Sequence, residues 1–135
     1  MTLWILAVLA LFVVQTLIPA TFRWVVAPSD RVGSLVTALG SRDAPPPMPV
    51  MGERAARALA NLHEALPVFV TIALLLEIRG DPGSWAQGGA AVFLGARVLY
   101  VPAYLSGIPG VRSTVWVVSW LGLGAMLVEL LAPGA

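Results

Sequence analysis

Four stretches of this chain, near residues 3 to 26, 54 to 78, 85 to 105 and 113 to 132, are apolar for long enough to cross a bilayer, and this limits the folds open to it. A helix rising about 1.5 Å per residue needs roughly 20 residues to span the hydrocarbon. No water reaches backbone N–H and C=O groups there, so a span of this kind pairs them within itself as a helix. The 135 residues are 59% hydrophobic and 11% charged, with a mean hydropathy of +0.88, too apolar for a soluble domain of this size. The sequence reads as an all-α integral membrane four-helix bundle, a single unit over residues 1–135 without internal repeats.

The first stretch has no basic region ahead of its apolar run, and that run is too long for the core of a signal peptide, so it is read as a retained span. All eight basic residues are arginines. Arg23, Arg31, Arg42, Arg54 and Arg57 flank or fill the first connection and Arg112 lies in the third, whereas the second holds Arg79; Arg97 sits mid-span and is left out. Positive-inside bias puts connections one and three in the cytoplasm and both termini outside. The first connection joins a short candidate interfacial helix, "VGSLVTALG", to "DAPPPMP", where successive prolines force an extended spacer. "RGDPGS" and "SGIPG" are turn signals that make hairpins of spans two and three and of spans three and four. Cysteine is absent, so thiol chemistry has to use a ligand's thiol. A net charge of +1 with no basic cluster carries no nucleic-acid signature.

The second span begins with polar groups, in "ERAARALANLHEALPVF". At 100° per residue, Arg54, Arg57, Asn61 and Glu64 fall within an arc of about 80°, and His63 points nearly the opposite way. Counted from Gly52, Glu64 lies roughly 18 Å along the axis, close to the midplane, where a charge costs about 2.5 to 3.5 kcal/mol and has to have a partner. On the third span, in "ARVLYVPAYLSGI", Arg97, Tyr100 and Tyr104 share an arc of about 60°. Pro102 removes a backbone hydrogen bond beside them.

Two readings are open. In one, these groups glue the bundle, Glu64 pairing with an arginine of a neighbouring helix and Asn61 bonding across. In the other, two polar stripes line one ligand pocket, which an arginine one turn below a tyrosine favours. Arg112, in "GVRSTVW", marks the membrane boundary on the first reading and stabilises an anion or thiolate on the second. Arginine forks grip carboxylates, Glu takes an ammonium, and Asn and Tyr take amides, so a pocket of these residues suits a small anionic peptide. A metal does not fit, because one His and one Glu on opposite faces of a helix make no ligand set. His63 is expected to pack between helices or face lipid, the tryptophans to anchor or pack, and Glu129 to reach water or a neighbouring protomer. "GLGAM" at 122 to 126 offers small residues for close helix approach.

"ERAARALANLHEALPVF" resembles the R-x-x-R-A-x-x-N-x-x-E-x-x-P-x-F signature of the MAPEG family, membrane-associated proteins in eicosanoid and glutathione metabolism. "ARVLY" followed by Tyr104, then Arg112 and Ser113, looks like the family's second motif. The likeness extends over the chain in length, span count and loop order. It implies a left-handed bundle assembled as a homotrimer among membrane lipids, with glutathione as co-substrate between adjacent protomers near the cytoplasmic side. Carried over residue by residue, Arg54, Arg57, Asn61, Glu64, Arg97, Tyr100 and Tyr104 would contact glutathione and Arg112 would hold its thiolate. Leu59 and Ala65 stand where some eukaryotic relatives have polar or tyrosine ligands, so the pattern looks closer to small bacterial members, multi-pass proteins of the inner membrane.

The activity this resemblance implies is a glutathione-dependent transferase or peroxidase acting on lipophilic electrophiles or lipid hydroperoxides that enter from the bilayer. A guanidinium with a neighbouring hydroxyl stabilises the thiolate, which is the nucleophile, with Tyr100 or Ser113 as helper to Arg112. One rival is a non-enzymatic lipid-binding or scaffold member whose polar faces only order the trimer. Another is a small proton-coupled transporter using Glu64, against which the one-sided arginines speak.

Overall fold

The computed structural model describes residues 1–26, 33, 36, 37, 39, 40, 47–80, 82–108 and 110–132. Its helices are α1 (Thr2–Thr21, running on as a π-type turn over Phe22–Val26), α2 (Val50–Arg79), α3 (Ser84–Ser106) and α4 (Val111–Leu131). All four are long and apolar enough to cross a membrane, and they coincide with the four apolar stretches to within a few residues. The chief difference is the start of α2. Pro49 is extended (φ −66°, ψ 158°), and helix begins at the next residue, so the polar turns carrying Glu53 to Arg57 belong to the same rod as the apolar run. Arg31, Arg42 and residues 43–46 of the proline spacer lie outside the described residues. In the expected interfacial helix, Gly33, Val36, Thr37 and Leu39 are helical, and the Thr37 hydroxyl donates to the Gly33 carbonyl (2.9 Å).

Polar side chains staple one end of the bundle, where α1 and α3 begin and α2 and α4 end. Glu77 accepts from the backbone N–H and hydroxyl of Thr2 (3.1 and 2.9 Å), and the Trp4 indole donates to Gln87 Oε1 (2.6 Å). Arg79 donates to the carbonyls of Glu129, Leu130 and Ala132 (3.1, 2.8 and 2.6 Å). Glu129, expected to reach water or a neighbouring protomer, instead accepts from the backbone N–H groups of Gly83 and Ala86 (2.6 and 2.7 Å). The physical reason is that the first N–H groups of a helix lack intrahelical acceptors and favour an anion, as the last carbonyls favour a cation. Glu129 and Arg79 therefore cap α3 and α4 across the bundle.

Inside, α2 buries Ala55, Ala58, Leu62, Ala65, Phe69, Ala73 and Leu76, the spacing of three and four that keeps one stripe inward. Phe69 stacks on Phe93 of α3, with ring centroids 4.6 Å apart and planes 11° from parallel. His63 packs edge-on against Phe12 of α1, at 4.7 Å, as its place on the helix predicts. Lipid tails are as apolar as leucine, so close packing rather than hydrophobic transfer holds such helices together. Gly89 and Gly122 supply it between α3 and α4. A Cβ on Gly89 would lie 2.5 Å from the Gly122 carbonyl oxygen, and one on Gly122 would lie 2.6 Å from that of Gly89. Gly124 meets nothing within 4 Å. Gly122→Ala is expected to force the two backbones apart and cost about 1–3 kcal/mol, the usual scale of overpacking, while Gly124→Ala costs nothing and gains up to about 1 kcal/mol from helix propensity. Thermal melting of both variants in one detergent checks this.

Candidate functional site

At the opposite end α2 begins, α3 ends and α4 begins, and these three ends enclose a cleft of about 280 Å³. Arg54, Arg57, Ala103, Tyr104, Gly107, Ile108, Gly110 and Arg112 line it. Two guanidiniums approach the Tyr104 ring, Arg112 at 5.0 Å and Arg57 at 6.0 Å from its centroid, within cation–π range. Arg57 also pairs with Glu53 one turn earlier at 3.7 Å, but both side chains are more than half exposed and such a pair holds weakly. Arg54 donates through Nη1 to the Leu105 carbonyl (2.8 Å). Among the described residues no acidic side chain lines the cleft, so it is strongly cationic.

One to two turns deeper lies a buried group. The Arg97 side chain, with the residue only 1% exposed, donates through Nη1 to Asn61 Oδ1 (2.6 Å), joining α3 to α2. Its guanidinium carbon is 5.3 Å from the Phe93 ring centroid and 5.6 Å from that of Tyr100. Nε and Nη2 are buried and have no partner among the described residues. Tyr100 is buried too, and its ring meets Tyr104 edge-on at 5.6 Å. A continuous file of rings and guanidiniums thus runs from the cleft into the middle of the bundle.

The residues picked from the sequence fall into three groups. Arg54, Arg57, Tyr104 and Arg112 meet in the cleft. Asn61 and Arg97 bond to one another below it, with Tyr100 linking the two levels. Glu64 and Ser113 join neither: both are exposed, and Glu64 has no ion pair among the described residues. The inward stripes explain this division. On α3 the polar arc coincides with the buried face, so Arg97 and Tyr100 go inside with Ala96 and Ala103. On α2 it runs beside the buried face, leaving Asn61 half-buried and carrying Arg57 and Glu64 outward. The partner expected for Glu64 is accordingly not found among the described residues. Sequence reasoning missed Gly107, Ile108 and Gly110, read only as a turn, although Gly107 and Gly110 turn with φ of +69° and +85° and bring the backbone up as a wall of the cleft.

This combination of two arginine-led helix motifs with a third arginine opening α4 has a counterpart among known families. The sequence model of the MAPEG family matches residues 1–132. The chain belongs to the MAPEG family. Neither the curated proteins nor the solved structures give a match. MAPEG membership and four membrane-capable helices make it an integral multi-pass membrane protein, and the family as a whole is glutathione-associated.

In this MAPEG chain the bond between Arg97 and Asn61 is asymmetric in its consequences. Removing the acceptor strands a buried charge, whereas removing the guanidinium strands only a neutral amide. Asn61→Ala is expected to destabilise the bundle by about 1–3 kcal/mol, and by more than Arg97→Met, which fills the same volume without charge. Unfolding of the two variants side by side in mixed detergent micelles measures the difference; a larger loss from Arg97→Met would contradict it.

Proposed function

We propose that the protein is a membrane-bound glutathione-dependent transferase or peroxidase acting on lipophilic electrophiles or lipid hydroperoxides. The observation that carries this is a cleft with three arginines and a tyrosine and, among the described residues, no acidic lining. Its volume of about 280 Å³ is near the lower end of the roughly 300–1,000 Å³ of small-molecule sites, and it opens where three helix ends meet. Guanidinium forks fit carboxylates, and the Tyr104 hydroxyl adds a neutral donor. The orphaned Nε and Nη2 of Arg97 are further donors, suited to an acidic ligand with more than one anionic group. Glutathione has that chemistry and supplies, when bound, the thiol that this cysteine-free chain lacks.

In this reading the whole chain is one MAPEG unit, it assembles as a homotrimer, and glutathione lies between protomers, where Glu64 finds its partner. Arg54, Arg57, Asn61, Glu64, Arg97, Tyr100 and Tyr104 make up the binding set. Arg112 stabilises the thiolate, since a guanidinium beside a thiol favours the charged form. Tyr100 or Ser113 is its helper, and Tyr104, whose ring meets both Arg112 and Tyr100, keeps Arg112 and Tyr100 in register. Lipophilic substrate comes sideways from the bilayer. The cleft lies at the cytoplasmic face of a bacterial inner membrane, with both termini on the other side.

Arg112→Ala is expected to lower turnover of glutathione with a lipophilic electrophile about a hundredfold or more, the scale of losing one electrostatic stabiliser, and to change glutathione affinity far less. Equal losses in both would remove the thiolate role. Independently, glutathione at a hundredfold excess over its Kd should stabilise the protein by about 2.7 kcal/mol in a thermal-shift measurement. A bundle whose polar faces serve only to order the trimer would show no shift and no thiolate absorbance in the ultraviolet on mixing.

A further inference from the structure

The two arginines that open α2 are placed for different work. The last carbonyls of a helix have no donors of their own helix. At the end of α3 two of them are met by side chains: the Ser106 hydroxyl donates to Ala103 (2.9 Å) and Arg54 Nη1 donates to Leu105 (2.8 Å). Gly107 then turns left-handed (φ 69°, ψ 11°). A Cβ on Gly107 would lie 2.7 Å from Nη1, 2.8 Å from Nη2 and 2.9 Å from Cζ of Arg54, so the guanidinium occupies the place a side chain would take. A cation at a helix C-terminus is also favoured by the helix dipole. Arg57, by contrast, is exposed and pairs with Glu53 of its own helix.

Four residues lie between Gly107 and Arg112, and this short connection includes Gly107, Ile108 and Gly110 of the cleft wall. We infer that Arg54 is a positioning residue of the cleft: it clamps the end of α3 through the Leu105 carbonyl and the bare face of Gly107, and thereby aims Tyr104 and Arg112, leaving the gripping of ligand to Arg57 and Arg112. The inference narrows the part of Arg54 in the site read above as the glutathione site, and it rests on that reading only for the meaning of the cleft. Its physical content is independent of any ligand. Loss of the clamp frees the connection; loss of Arg57 does not.

Hydrogen exchange on the full chain in lipid nanodiscs, without ligand, reads this directly. Arg54→Ala removes a charged donor to a helix end, and the bonded amides of residues 104–106 in the last turn of α3 and 114–116 in the first turn of α4 should exchange about tenfold faster while those around Phe69 and Phe93 keep their protection. Gly107→Ala loosens the same turn by two routes, because the added Cβ displaces the flexible guanidinium and the φ of +69° strains any side chain, so it should reproduce that pattern at least as strongly. Arg57→Ala should leave it as in the wild type. In turnover with glutathione and a lipophilic electrophile, Arg112→Ala should cost much less in the Arg54→Ala background than its about hundredfold cost alone, since an already displaced Arg112 has little left to lose. Unchanged exchange in Arg54→Ala and Gly107→Ala, or equal loosening by Arg57→Ala, overturns the clamp. Full additivity of the Arg54 and Arg112 substitutions overturns the aiming of Arg112. Should the wild type show no glutathione turnover, the functional reading falls, and the exchange pattern still decides for or against the clamp.

Discussion

A guanidinium enclosed by helices in a membrane has to be held by an acceptor or it drives the helices apart, and Asn61 holds that of Arg97. This bond fixes the rotation of α3 against α2. With Arg97 turned inward, Phe93 comes onto Phe69 one turn below and Tyr100 comes under Tyr104 one turn above. The same setting turns Tyr104 to the cleft, where it meets the arginines of α2 and α4. Rotating α3 by one residue would direct the guanidinium to lipid and disassemble the file of rings together with the floor of the cleft.

Polar side chains at the two ends do different work, though they look alike in composition. Glu77, Arg79 and Glu129 are taken up in capping helix ends across the bundle, each bonded to backbone groups of another helix. Arg57 and Arg112 have their guanidiniums against the ring of Tyr104 and at the edge of open space. A charge bonded to backbone is committed, and one resting on an aromatic face can still take a ligand. Arg54 stands between these cases, bonded to backbone and facing the cleft at once.

Much of the fold was legible in the sequence because apolar runs of bilayer length leave a chain few options, and turn-rich connections make neighbours antiparallel. The stripes on α2 and α3 were legible for the same geometric reason. What periodicity does not say is which way a stripe faces relative to the partner helix. Arg97 and Glu64 look equivalent as charged residues on polar arcs, yet one is enclosed and the other exposed, because the α3 arc lies on its packing face and the α2 arc beside it. The backbone partners of Glu129 and Arg54 were not legible, for a reason the two share. Their partners are backbone groups brought near by tertiary packing, and a carbonyl at a helix end has no signature in sequence. The cleft wall at Gly107 and Gly110 was visible as a turn and not as a surface, since a glycine's part in a site lies in what its missing side chain admits.

The glycine contact between α3 and α4 has a mechanical consequence. Gly89 and Gly122 let the two rods touch backbone to backbone, so their crossing is a fulcrum. From Gly89 to Tyr104 is fifteen residues, an arm of about 22 Å at 1.5 Å per residue, so a change of roughly three degrees in crossing angle carries Tyr104 about 1.2 Å relative to α4. The capped end, on the near side of the fulcrum, travels much less. The packing at Gly89 and Gly122 therefore bears on the spacing of the two rods at the cleft from about 22 Å away, through backbone contact alone.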